Sequence, residues 1–425
     1  MDRKVILKKL QCGIKVLFVI DNTQDIVYFE TCIRNGKLNQ KPHELEYAHL
    51  LEHMNACFTS KKYPDASVNN MMLSQIGAST NAFTSNYLTR YYIKCNKKHR
   101  KKVFDLLMLS YMECVFEENV FYAEKQSVIE ELQAKQNNMW TNMYERNEGI
   151  VYKNHPNAAT LSQRIKNTKG ITLKKLKQYR KKHYTCNNTT IVIAGNVSVS
   201  YYMRLLTGMF QKFQTSVYKQ KYPHSKLMIK PGIHYTHVNT VSNKLILSFN
   251  TNFKYFDRNS ILVELISKLL TDDLSSRLYM LRKKNGMIYN ILSYDENEIY
   301  GPNHSYFIIE TEVSTDNLCN GYHNIIESLK NTKISESEYQ TIRNKIEMDI
   351  SVHMQSTDIE KYVNRYIPFI AFNRKIISFK DKFKILKNCK KSTVNKLLRI
   401  IFDKKKPITM YGGPQRVSKA KFMIR

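Results

Sequence analysis

No apolar run in this chain of 425 residues approaches the ~20 that a bilayer-spanning helix needs. The longest, such as Val16 to Ile20 and Ile191 to Ala194, are far shorter, so no membrane span is expected. The opening Met1-Asp2-Arg3-Lys4 passes straight into a strand-like stretch, without the apolar core and small-residue cleavage site of a secretory signal. The default expectation is a cytoplasmic address, or a virion if the source is viral. The eight cysteines, at 12, 32, 57, 95, 114, 186, 319 and 389, include no C-x-x-C pair and no cluster tight enough for a disulfide framework, and they read as reduced thiols. Cys57 follows His53 by one helical turn and reads as a small packed hydrophobe. Low-complexity tracts are missing too, which sets disorder aside.

Acidic residues are scarce: 36 Asp and Glu against 67 Lys and Arg give a net charge of +31. Clustered, that excess would mark a nucleic-acid or anionic-membrane surface. It is instead dispersed over both halves, in runs at 97–102, 174–182, 404–406 and near Lys419. No helix-turn-helix, zinc-finger or aromatic-rich motif accompanies it. The charge therefore reads as solvated surface in a Lys-, Asn-, Ile- and Tyr-rich chain, the coding bias of an AT-rich genome such as that of a large DNA virus. Nucleic acid is not the expected partner.

With 42% hydrophobic and 24% charged residues the composition is ordinary for a globular protein, and the length calls for two domains of roughly 200 residues each. Residues 14–20 and 25–33 read as strands joined by the turn Asp21-Asn22-Thr23, an opening hairpin. Pro42 fits the first turn of a helix continued by Leu45, Ala48, Leu51, Met54 and Ala56. A short helix to Ile76, a strand over 77–95, and helices over 102–116 and 120–136 follow. A helix over 174–184 and a buried strand over 189–194 close the first half. The polar stretch 214–232, with Pro223 and Pro231, reads as a linker between a first domain at 1–213 and a second at 233–425. The second repeats the order of the first: a strand at 245–249, a helix at 260–270, strands from 288 to 313, then helices. The expected fold is α+β, two similar domains, each a mostly antiparallel sheet packed with helices.

The run His49-Leu50-Leu51-Glu52-His53 puts two imidazoles about 40° apart on one helical face, suited to chelating one ion, with Glu52 about 60° to the other side of His49. That is the inverse of the commoner H-E-x-x-H order, of which the chain holds no copy. A third ligand is needed. Glu124 and Glu131, seven residues apart on a separate helix, share a face: Glu131 would complete a His, His, Glu set for zinc, and Glu124 would orient an imidazole. Glu130 is the alternative ligand.

These residues resemble the pitrilysin and insulinase metallopeptidases. The likeness runs through Cys12-Gly13-Ile14-Lys15-Val16-Leu17, Ala48 to Met54, Lys62-Tyr63-Pro64, Gly77 to Ser85 and Thr89-Arg90-Tyr91-Tyr92. It continues at His155-Pro156, Ile191 to Asn196, Ser276-Arg277-Leu278, Leu281-Arg282 and Gly286-Met287-Ile288-Tyr289. The interval from His53 to Glu131 fits the family spacing, while Ser127 stands where many relatives carry an apolar residue. The resemblance implies one zinc ion per chain, held by His49, His53 and Glu131, with Glu52 as the base that activates water. It implies that Arg282 and Tyr289 contact substrate and the developing oxyanion, and that Asn81-Ala82 pairs with an extended peptide or protein substrate. It further implies half of a clamshell, closed by a second copy or by a paralogous two-domain chain, since full-length relatives carry four such domains. The glycine-rich loop of the processing peptidase's noncatalytic subunit has no counterpart here. The rival expectation is a catalytically silent member acting as a structural or partner-binding subunit, although such members usually lose a ligand or the base.

Overall fold

Continuous β-branched and aromatic runs form the strands of two sheets in this computed structural model, which describes residues 3–151, 158–213, 231–253, 255–285, 288–297 and 305–422. The His155-Pro156 and Gly286-Met287 matches, and 214–230 of the expected linker, lie outside the described residues. In the first unit, β1 (Lys4–Lys9), β2 (Lys15–Ile20), β3 (Ile26–Ile33), β4 (Ser79–Thr84), β5 (Thr89–Asn96) and β6 (Thr189–Gly195) take the order β1-β2-β6-β3-β5-β4. β6 is buried at every residue. A strand with no polar alternation needs both faces covered, which the middle of a sheet provides. It therefore inserts between β2 and β3, parallel to one and antiparallel to the other, and the hairpin expected of β2 and β3 does not form. The single strand expected over 77–95 is two, β4 and β5, folded back where the Ser85 amide donates to the Leu88 carbonyl.

In the second unit, β7 (Gly232–His237), β8 (Ser242–Asn250), β9 (Ile288–Asn297), β10 (Ser305–Ser314) and β11 (Ile408–Gly413) take the order β7-β11-β8-β10-β9. Setting β1 aside, the two orders are the same: the last strand of each unit lies between the first two, parallel to the first. Both units are α+β, with antiparallel pairs throughout except at that one place. One face of the first sheet packs Val16, Phe18, Phe29 and Ile193 against helices Arg100–Glu113 and Val199–Phe210. One face of the second packs Leu245, Leu247, Phe307 and Ile309 against helices Arg258–Thr271 and Lys391–Phe402.

The other face of each sheet explains why the units are not contiguous halves. One unit comprises Met1–Gln136, His155–Pro223 and Ser356–Ile376, and the other Asn137–Asn154, His224–Gln355 and Ile377–Arg425. Each takes one helix from the other half of the sequence, in place of the simple division at 214–232. Helix Ile359–Ala371 lies on β3 and β6 and buries Val363 and Ile367 completely. Lys15 Nζ donates to its Ile370 carbonyl at 2.6 Å, and Arg90, paired with buried Glu30, donates to its Asn364 Oδ1 at 2.6 Å. Helix Met139–Val151 lies on β11, with Met143 among Ile246, Tyr306 and Met410. It comes so close that a Cβ at Gly412 would press on Met143 Sδ and Val238 Cγ2, so a larger residue there would force those side chains to shift.

In the second unit two helices, Arg258–Thr271 and Glu336–Gln355, are tied by ion pairs: Lys268 to Asp349 at 2.5 Å, and Lys345 to Asp273 at 2.9 Å and Asp272 at 3.3 Å. Among the described residues no helix is long and apolar enough to cross a membrane. The exchanged helices make a checkable demand. Ile367→Ala should cost about 2–5 kcal/mol, the usual loss for a fully buried aliphatic side chain. Hydrogen exchange should show lost protection in the amides of β3 and β6, although residue 367 lies far from them in sequence.

Candidate metal centre

Helix Tyr47–Ala56 begins later than Pro42, which sits instead in a 3₁₀ turn, Pro42–Glu44. The run from Pro42 breaks at Leu45 (φ −56°, ψ 135°) and at Glu46, whose backbone is left-handed (φ 70°, ψ 1°). Gln40 supplies the missing cap, its Oε1 accepting from the Ala48 amide at 3.0 Å. Leu50, Leu51 and Met54 turn inward and share a core with Phe121, Val128 and Leu132 of helix Glu118–Asn137 and with Leu176 and Tyr179 of helix Leu173–His183. That apolar seam fixes the two helices that carry the candidate ligands.

His49 and His53 stand with ring centroids 4.9 Å apart and planes at 79°. The Glu131 carboxylate faces both: Oε2 lies 3.4 Å from His49 Nε2, and Oε1 lies 3.5 Å from His53 Nε2. Two imidazole nitrogens and a carboxylate gathered in this way are a donor set that zinc takes, with a further position left for water. The far side of each ring also meets a carboxylate, His53 Nδ1 at 2.9 Å from Glu124 Oε2 and His49 Nδ1 at 2.9 Å from Glu46 Oε2. Both Nε2 atoms are thereby left to face the same point. Glu130 points elsewhere, accepting from Gln126 Nε2 at 2.9 Å on the exposed face, and Ser127 donates to the Ala123 carbonyl one turn back. Among the described residues His49, His53 and Glu131 are the one set whose donor atoms converge, all within 4.8 Å of one another.

Glu52 is buried, and desolvation raises its pKa despite the two imidazoles, whose positive charge works the other way. Thr84 Oγ1, at the end of β4, donates to Glu52 Oε2 at 3.4 Å. Burial disfavours the cationic form of His49, yet hydrogen bonds to Glu131 and Glu46 overcome it and lift its pKa to about 9. The bond to His49 in turn lowers the pKa of Glu131. Burial pushes the Cys57 thiol up to about 12, so it stays protonated, donating to the His53 carbonyl at 3.6 Å. Asn81 and Ala82 lie on β4, the outer strand of its sheet, exposed and half-buried respectively, next to helix Tyr47–Ala56. Arg282, on helix Tyr279–Asn285, and Tyr289, on β9, are exposed residues of the second unit.

Sequence reasoning missed Glu46, Arg164 and Thr84. Glu46 stands three residues before His49, a spacing that could have raised it. Arg164, whose Nε lies 2.6 Å from Glu46 Oε1, gives no local signal. The second unit repeats the helix pair without the ligands: Arg258–Thr271 has no histidine, and Lys268 and Asp349 join there instead.

Two models of one peptidase family match successive parts of the chain. Residues 15–169 match the model for "Insulinase (Peptidase family M16)", and residues 170–346 match "Peptidase M16 inactive domain". The uncharacterized zinc protease YmxG of Bacillus subtilis is 25% identical over 296 residues, 68% of this chain and 70% of that one. Bovine insulin-degrading enzyme is 27% identical over 214 residues, 48% of this chain but 21% of the enzyme. A protease from Helicobacter pylori superposes with a TM-score of 0.86 at 20% identity, over 97% of this chain and 100% of that one.

A metal ion entering this centre must displace the proton that His49 holds in the metal-free protein at neutral pH. The sign is fixed: loading releases a proton until pH exceeds about 9. Apparent zinc affinity should therefore rise about tenfold per pH unit between pH 6 and 8. Chelator competition across that range, with calorimetry in two buffers to count protons, would check it. A flat profile would contradict the charged His49.

Proposed function

The chain belongs to the insulinase (M16) peptidase family, and on that premise we propose that it is a zinc-dependent endopeptidase cleaving extended or unfolded peptides. The observation that carries the reading is the convergence of His49 Nε2, His53 Nε2 and the Glu131 carboxylate, with donor atoms within 4.8 Å of one another and the Glu52 carboxyl buried on the same helix. His49, His53 and Glu131 would hold one zinc ion per chain, which supplies Lewis acidity toward a peptide carbonyl and toward water.

The rest falls to this chain's own groups. Glu52, with its pKa raised by burial, is suited to take a proton from the attacking water and pass it to the departing amine. Thr84 donates to one of its oxygens, which helps hold the carboxylate in one orientation. The open edge of β4 at Asn81-Ala82 offers backbone groups to an extended peptide, giving affinity that does not depend on side-chain identity. Arg282 and Tyr289 supply donors for the oxyanion, and in this reading they come from a partner, either a second copy or a paralogous two-domain chain.

Glu52→Gln tests the assignment. It should keep zinc at one per chain and lower kcat on an unfolded peptide by about 10²–10⁴-fold, the usual contribution of a general base. Zinc retained with wild-type turnover would remove Glu52 from the role. A wild-type chain that binds no zinc and cleaves nothing, alone or with a partner, would remove the peptidase reading itself.

A further inference from the structure

Glu46 is expensive in this structure, and its expense calls for an explanation. Five non-glycine residues among those described have positive φ, and two of them are asparagines, which tolerate that conformation. Glu46 has no such tolerance, yet it is held at φ 70° with 3% of its surface exposed. Its side chain does not cap the helix it precedes, because Gln40 does that. Both its oxygens are committed elsewhere: Oε2 to His49 Nδ1 at 2.9 Å and Oε1 to Arg164 Nε at 2.6 Å. Arg164 is itself 6% exposed, so both charges of this pair have left water. Replacing such a pair with apolar residues is often neutral or stabilising, so stability alone is a weak reason to keep it.

We infer that Glu46 is a positioning residue for the metal centre, a buried anion that fixes His49 as the Nδ1–H tautomer and aims its Nε2 at the ion. The inference rests on the zinc reading above. Glu124 stands in the same relation to His53, but its side chain is 29% exposed against 3% for Glu46. Less water around Glu46 means less screening, so its bond to the ring is the stronger restraint. Arg164 Nε, 2.6 Å from Glu46 Oε1, holds the carboxylate in place, and so acts at one further remove.

Two variants and one measurement on the wild type test this. Glu46→Gln keeps the shape and removes the charge. Glu46→Gly combined with Arg164→Met removes the backbone strain together with the buried cation that faces Glu46. Both should weaken zinc 10–100-fold by chelator competition, the usual loss for a partner of a ligating histidine. The thermal midpoint of the metal-free double variant should be equal to or above that of the wild type. In the wild type loaded with zinc, ¹⁵N imidazole shifts should report His49 protonated at Nδ1. Wild-type zinc affinity in both variants, or a His49 protonated at Nε2, would overturn the inference and leave the zinc reading intact. A wild type without zinc affinity would overturn both.

Discussion

The centre depends on one constraint: two imidazoles on a single helix must present the same nitrogen to a carboxylate that the chain supplies from a different helix. Neither ring can do this alone, because a histidine on a helix turns freely unless its second nitrogen is engaged. Glu46 and Glu124 engage those nitrogens, and the seam of Leu50, Leu51, Met54, Val128 and Leu132 fixes the distance between the helices. The sheet behind them is the platform. Tyr91 on β5 hydrogen-bonds Tyr184 at 2.6 Å and accepts from Asn55 at 3.3 Å, so the back of the histidine helix is tied to the strand that pairs with β4, whose last residue is Thr84.

Much of this was legible in the residues, because the chemistry obeys helical periodicity. The i, i+4 histidines, Glu52 between them and the seven-residue interval from Glu124 to Glu131 are all statements about one face of a helix. Choosing between Glu130 and Glu131 took coordinates, since adjacent helix positions differ by about 100° and either could serve a ligand whose partner helix is not yet placed. Glu46 had only its spacing from His49 to suggest it: a left-handed glutamate runs against propensity, and its contacts with Arg164 and His49 emerge only in the fold. The fold was legible as strand and helix content and as a repeated order. The place of β6 was not, because pairing between strands more than 150 residues apart leaves no mark on either segment.

The second unit shows the same topology without the candidate ligand set. Its helices Arg258–Thr271 and Glu336–Gln355 occupy the places of Tyr47–Ala56 and Glu118–Asn137 in chain order, and both long helices run for 20 residues. Where the first pair brings together imidazoles and a carboxylate, the second brings together Lys268 with Asp349 and Lys345 with Asp272 and Asp273. Ion pairs can hold two helices in register without an open coordination position, so this half retains the architecture and none of the ligand set. The model matched over 170–346, described as an inactive domain, is in keeping with that.

The exchanged helices reach furthest back. In each half the borrowed segment is the helix that follows the long 20-residue one, so the trade is reciprocal and equivalent in both directions. Two identical single-unit ancestors would make the same trade by swapping one helix across a twofold axis. Duplication with fusion would then turn an intermolecular swap into an intramolecular one. Such a history would leave each half relying on the other for one layer of its own core.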